Sequence, residues 1–221
     1  MSQPARPTAA TRRRAREAQI LTATRELFDE SGMREVQIED VAKLAGVNRA
    51  IIYRHFSGKE ELFALTVERY LEELQERLER SVAGRRTPTT KLTAAVEAFA
   101  DYGLEYPAFI DCAQTLMRRR GPELLEQISE GALFRLGRGI SSCLRTLITT
   151  LEEGVESGDF KIEDSTLLAN YMYASGLGAL QLARIGMLVK ESAPGIPTIS
   201  RVSEDQVKSF LVRSALALAG S

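Results

Sequence analysis

At 221 residues, 44% of them apolar, the chain has enough material for one large core or two small ones, and 6% aromatics with no tryptophan argue against an all-β fold. The formal charge of −1 conceals an asymmetry: residues 1–59 hold eleven basic side chains against seven acidic ones, so the body that follows is net acidic. A basic N-terminal unit on an acidic body suits one face meeting a polyanion while the rest avoids it. Prolines are few and fall between long breaker-free stretches, which predicts an all-α chain.

Met1–Thr11 is polar and contains proline, so the sequence predicts disorder there and no signal peptide, since the stretch lacks an apolar core. Arg12, Arg13, Arg14 and Arg16 follow as a basic arm suited to phosphates or a minor groove. Ile20, Ala23, Leu27 and Phe28 form the apolar stripe of a first helix ending at Ser31-Gly32.

The next stretch, Val36–Lys59, organises the chain. Ile38, Val41, Ala42 and Ala45 fall at i, i+3, i+4 and i+7, on one face of a short second helix starting near Gln37. Gly46 permits the positive φ that ends a helix sharply, and Asn48 is suited to capping a third helix. Two short helices across a tight turn make a helix-turn-helix, and the same spacing also fits a plain helical hairpin inside a larger bundle. In the third helix Val47, Ile52 and Phe56 are spaced to pack inward. Arg49, Ala50, Ile51 and Tyr53 are left outside, a set suited to base edges and phosphates.

The run A-G-V-N-R-A-I-I-Y-R-H-F-S-G-K-E-E-L, Ala45 to Leu62, resembles the recognition helix and following turn of TetR-family transcriptional regulators. The pattern extends upstream through Ile20, Ala23, Leu27, Phe28 and Gly32, over roughly the first third of the chain. The resemblance implies a headpiece at residues 1–58 and a helical ligand-binding and dimerisation domain at 59–221, about nine helices in all. It implies Arg49 as the base-reading residue, Ala50 and Ile51 packed on bases, and Tyr53, His55 and Lys59 on phosphates, with Asn48 and Lys43 completing the interface. Gln37 departs from the family's threonine or serine, leaving its phosphate contact in doubt. The implied partner is a palindromic duplex operator.

A fourth helix, about Lys59–Val82, belongs to both halves, with Leu62, Leu65, Tyr70, Leu71, Leu74 and Leu78 inward. A fifth follows from Lys91 to about Tyr106. A sixth runs from Ala108 to about Arg119, stopped by Gly121-Pro122. A seventh is expected from Glu123 to about Glu156. The apolar run Leu167–Val189 contains Asn170, Gln181 and Arg184, so it reads as a buried eighth helix rather than a membrane span. The ninth is Glu204–Ala219. Small residues along the eighth helix and the apolar side of the ninth suit pairing with a second chain, as the family resemblance also implies.

The resemblance further implies a small-molecule pocket in the body, for which the candidates are Tyr102, Tyr106, Phe109, Leu116, Met117, Phe134, Tyr171 and Met172, suiting a hydrophobic effector. Asp101, Glu105 and Asp111 stand near them and leave a cationic ligand open. Cys112 and Cys143 have no metal-type spacing, so neither a metal site nor a cofactor is expected. A reduced, cytoplasmic protein is the simplest account, with a redox sensor using these two thiols as the alternative. No catalytic motif is visible and the sole histidine, His55, lies in the headpiece, so an enzyme is not expected.

Overall fold

The computed structural model describes residues 8–118, 123 and 126–220. Among them are nine helices and one hairpin. The helices are α1 (Ala9–Ser31), α2 (Ile38–Leu44), α3 (Arg49–His55), α4 (Lys59–Val82), α5 (Pro88–Glu105), α6 (Pro107–Met117), α7 (Glu130–Ser157), α8 (Ser165–Ile185) and α9 (Glu204–Ala219). Strands β1 (Met187–Ala193) and β2 (Ile196–Arg201) pair between α8 and α9. No helix among the described residues is long and apolar enough to cross a membrane.

The chain divides into two compact units. One comprises residues 1–69 and 115–136, the other residues 70–114 and 137–221, so the division falls inside α4 and inside α7. In the first unit, α1 buries Ile20, Leu21, Ala23 and Phe28, and α2 buries Ile38, Val41 and Ala42. Ile52 and Phe56 are buried below α3, as their spacing requires. Gly46 stands at φ +62° between α2 and α3, in the left-handed region that makes the turn tight. The Gln19 side chain donates to the Ala45 carbonyl at 2.8 Å, which ties α1 to that turn.

Two carboxylates are buried in this unit. Glu68 receives the Arg135 guanidinium, with Nε donating at 2.9 Å, and the same guanidinium reaches Glu17 of α1 at 2.5 Å. Glu61 accepts from the Ser57 backbone N–H at 2.7 Å, from the Ser57 hydroxyl, and from the Ser129 hydroxyl at 2.5 Å. Burial alone would push the Glu61 carboxyl up; the hydrogen bonds from Ser129 and Ser57 outweigh it and hold the group below its ordinary range.

The second unit is built on apolar packing. Leu92, Leu151, Phe160, Ala169, Met172, Ala215 and Ala219 form one buried cluster, drawn from α5, α7, α8, α9 and the turn before α8. Tyr70, Tyr102, Tyr106 and Phe109 form an aromatic group, within which the Tyr102 hydroxyl donates to the Tyr70 carbonyl at 2.9 Å.

Several sequence expectations are corrected. Helix α1 already starts at Ala9, because the Thr8 hydroxyl caps it by accepting from the Thr11 N–H at 3.2 Å. The seventh helix does not run unbroken from Glu123: Ile128 and Ser129 lie outside helix, and Ser129 starts α7 by accepting from the Ala132 N–H at 3.2 Å. The apolar run 167–189 is not one buried helix. It leaves α8 at Gly186, and Met187–Val189 enter β1. Leu167, Tyr171 and Ile185 are exposed on α8. The expectations placed on residues 1–7 and on 119–122 lie outside the described residues.

Candidate nucleic-acid interface and apolar cavity

Helix α3 is presented by its own cap. The Asn48 side-chain oxygen accepts from the Ile51 N–H at 3.0 Å, satisfying a backbone donor that the helix leaves free. With Ile52 and Phe56 buried beneath, Arg49, Ala50 and Tyr53 stand on the exposed side and Ile51 is half-buried. Arg49 is not idle there. Its guanidinium meets Glu39 of α2 at 2.5 Å. The Tyr53 hydroxyl and then the Glu39 charge raise its pKa further, so the cation is permanent. Both members of the Arg49–Glu39 pair are more than half exposed, at 56% and 57%, and exposed pairs of this kind hold weakly.

The remaining polar groups surround this helix. Lys43 is exposed in the last turn of α2. Lys59, the first residue of α4, places its ammonium 3.4 Å from the Gln37 side-chain oxygen and 5.0 Å from the Phe63 ring centre. Gln37, where the resemblance fails, thus orients a lysine. Asp40, at the third helical position, accepts from the Gln37 N–H at 3.3 Å, the reciprocal half of a capping box. Arg12, Arg13, Arg14 and Arg16 are exposed along the first turns of α1. The His55 pKa is lowered, first by burial and next by the Arg13 charge, so its ring is neutral at physiological pH. Its Nδ1 is buried and has no hydrogen-bond partner among the described residues.

The second unit contains an apolar cavity of about 80 Å³. Its walls are Leu74 and Leu78 of α4, Val96 and Phe99 of α5, Leu144 and Leu147 of α7, Met172 and Tyr173 of α8, and Leu211 and Leu218 of α9. Cys143, Ser175 and Ser214 are also among the residues that line it. Gly176 is part of the lining, and a Cβ there would stand 2.8 Å from the Phe99 ring, so α5 and α8 approach as closely as the side chains permit.

A family profile described as bacterial regulatory proteins, tetR family, matches residues 20–66, the segment that carries α2, the turn and α3. Residues 20–66 are thus similar to the N-terminal segment of TetR-family regulators. The transcriptional activator FasR of Mycolicibacterium smegmatis is 32% identical over 87 residues, 39% of this chain and 40% of that protein. The chain therefore aligns with less than half the length of that relative. The fatty acid metabolism regulator protein of Bacillus subtilis is 26% identical over 160 residues, 72% of this chain and 78% of its own. Among solved structures, RolR in complex with resorcinol superposes with a TM-score of 0.65 at 20% identity, covering 96% of this chain and 90% of its own. FadR of Bacillus subtilis in complex with stearoyl-CoA gives 0.64 at 21%, covering 92% and 97%. These two likenesses establish the fold.

The residues expected around an effector are placed in different surroundings. Met172 lines the cavity. Tyr102 and Phe109 are fully buried in the aromatic group. Tyr106 packs beside them, with the Arg77 guanidinium 5.4 Å from its ring centre. Leu116 is half-buried, and Met117, Phe134 and Tyr171 are exposed. The acidic groups considered for a cationic ligand are engaged: Asp101 with Lys208, Glu105 with Arg77, and Asp111 with Arg184.

The redox alternative is not supported. Cys112 and Cys143 are both buried. Burial pushes the Cys143 thiol up to about 12, and it donates to the Leu71 carbonyl at 3.2 Å. A thiol held protonated is a poor nucleophile.

Spacing does not reveal the Arg49–Glu39 pair, because its members stand ten positions apart on either side of a turn. Nor does it reveal the Arg135 and Ser129 contacts, which join positions more than sixty residues apart. Phe99, Leu144, Leu147 and Leu211 read as ordinary helical core, and only the packing of five helices makes them a lining.

Proposed function

We propose that this chain is a cytoplasmic, ligand-responsive transcriptional repressor, with residues 1–58 as the DNA-reading headpiece and residues 59–221 as the effector-binding and dimerisation body. The observation that carries the reading is the exposed side of α3, where a permanent cation, a small residue, an apolar group and a phenol sit on a helix locked from below by Ile52 and Phe56. In the major groove Arg49 exchanges Glu39 for guanine O6 and N7, while Ala50 and Ile51 pack on bases. Tyr53, Lys43 and Lys59 contact phosphates. His55 is neutral with Nδ1 buried, so it serves a phosphate only through Nε2–H. Asn48 holds the helix terminus in place.

Two copies joined through α8 and α9 set their recognition helices about 34–36 Å apart, one turn of duplex, and so read a palindrome. The effector is a hydrophobic molecule, in the first place a long-chain acyl-CoA, whose acyl chain enters the apolar cavity. Relatives named as fatty acid regulators and the stearoyl-CoA complex of FadR support this class. A cavity of about 80 Å³ is small beside the 300–1,000 Å³ typical of ligand pockets, so an acyl chain enters it only by moving its walls. Entry of an acyl chain displaces Leu74 and Leu78, and with them α4, whose first turn holds Lys59. An effector that binds the displaced form about 5.5 kcal/mol more tightly converts a nearly saturated operator into a nearly free one.

The test is fluorescence anisotropy with the duplex upstream of the gene, titrated with salt and then with acyl-CoAs of increasing length. Binding should weaken steeply with salt, and long-chain acyl-CoA should release the duplex while resorcinol and free CoA do not. Salt-independent binding would sink the phosphate contacts. Release by resorcinol alone would replace the acyl class with a small phenol.

A further inference from the structure

Hairpin β1–β2 carries its apolar row on the wrong side for an isolated ribbon. The register sets Met187 opposite Arg201, Val189 opposite Ile199 and Glu191 opposite Pro197, so these six side chains share one face. Leu188, Lys190, Thr198 and Ser200 share the other. Antiparallel pairs with one wet face normally turn the apolar row inward. Here Val189 is 79% exposed, Ile199 68% and Met187 50%, while Leu188 and Ser200 on the opposite face are half-covered. A two-stranded ribbon is marginal in water, and one that displays its apolar row invites a partner. The row ends in opposite charges: Glu191 near the turn, Arg201 at the base.

We propose that this face packs on the same face of a second copy of this chain, about a two-fold axis, with the turn of each hairpin over the base of the other. Charge selects that arrangement. Turn over base brings Glu191 within reach of the partner's Arg201, and symmetry makes the contact twice. Turn over turn would set like charges beside each other at both ends. The inference rests on the homodimer proposed above and extends it, because the hairpin is the link between α8 and α9, where Tyr171 and Phe210 are also exposed.

Sedimentation equilibrium of the full chain tests it with Glu191→Arg, Arg201→Glu and the double reversal. Each single reversal should weaken dimerisation roughly tenfold or more, and the double should restore it to within about threefold. Circular dichroism confirms that these surface changes leave the helices intact. A Glu191→Cys, Arg201→Cys variant supplies a second readout. The two sites lie about 13 Å apart along one hairpin, beyond disulfide reach, so mild oxidation should yield covalent dimers and no internal bridge. Single reversals that dimerise like the parent, a double that is not restored, or failure to cross-link would overturn the hairpin contact. Loss of dimer in Phe210→Glu would then leave the α8–α9 dimer standing. A parent chain monomeric at all concentrations would overturn both. Co-sedimentation with anionic vesicles that depends on Val189, without change in dimerisation, would assign the face to lipid instead and also overturn the proposal.

Discussion

In the unit that carries α1–α3, the polar side chains Thr24, Glu61, Thr66 and Glu68 are buried, with Glu61 at 6% and Glu68 at 4% exposure. In the unit that carries the cavity, the buried polar or charged side chain among the described residues is Thr150. Charged hydrogen bonds are directional and cost much when left half-made, so the first unit is specified to one geometry. Apolar contacts are not directional, and a core built from them repacks around a changed volume. The base-reading surface proposed above benefits from the first kind of construction. The effector cavity proposed above benefits from the second.

Substitutions that remove charge should therefore separate the two units. The largest effect is expected for Arg135→Leu, which strands buried Glu68: about 3 kcal/mol of stability, at the lower end for a broken buried pair because Arg135 is one-third exposed, read from urea unfolding. A loss below about 1 kcal/mol would break the comparison. Next is Ser129→Ala, which removes a hydrogen bond to the Glu61 carboxylate, worth about 1.5–3 kcal/mol. It also has a pH signature. Because the Glu61 pKa is held below its ordinary value of 4.5, its contribution is complete above that value and is lost as pH falls through the lowered one. Without Ser129, burial is less opposed, the folded pKa rises, and the acid limb of the stability curve should shift to higher pH.

In the apolar unit, volume rather than charge should matter. A Cβ at Gly154 would lie 2.0 Å from the Phe160 ring, so Gly154→Ala should cost about 1–3 kcal/mol through overpacking, measured the same way. Lys91→Met breaks an ion pair with Glu153 in which the two side chains are 24% and 40% exposed. Its effect should stay within about 1 kcal/mol, the smallest of the set. At the interface, Arg49→Ala should relax preference at one base pair by about fivefold to a hundredfold in anisotropy competition, whereas Lys59→Ala should lower the salt slope by about one and weaken all duplexes alike.

Legibility in the sequence followed the range of the interactions. The headpiece helices were readable because their signals are local: Gly32 and Gly46 as stops, Asn48 as a cap, and Ile52 and Phe56 at helical spacing. Helix α9 was bounded correctly for the same reason, its Ser203 cap accepting from the Gln206 N–H at 3.2 Å. The hairpin was missed although Pro194-Gly195 marks a turn, with Gly195 at φ +78°, because the apolar run before it continued a helical pattern. The break at Ser129 has a local signal, a serine whose hydroxyl accepts from the Ala132 N–H, inside a stretch otherwise free of helix breakers until Gly131. The cavity had none, since its lining comes from five helices and each residue alone is indistinguishable from core. Arg135 was equally silent, because no local pattern announces a partner on α1 or α4.

If Arg49 reads a base as proposed above, its contact with Glu39 bears on how a genome is searched. A cation already occupied by a carboxylate gives up a partner whenever it approaches a base. A guanine presenting two acceptors outcompetes that partner; an edge with one, or none, does not. On that reading, brief visits to mismatched sequence end with the arginine back on its own glutamate, and dwell time accumulates where a base edge presents both acceptors together.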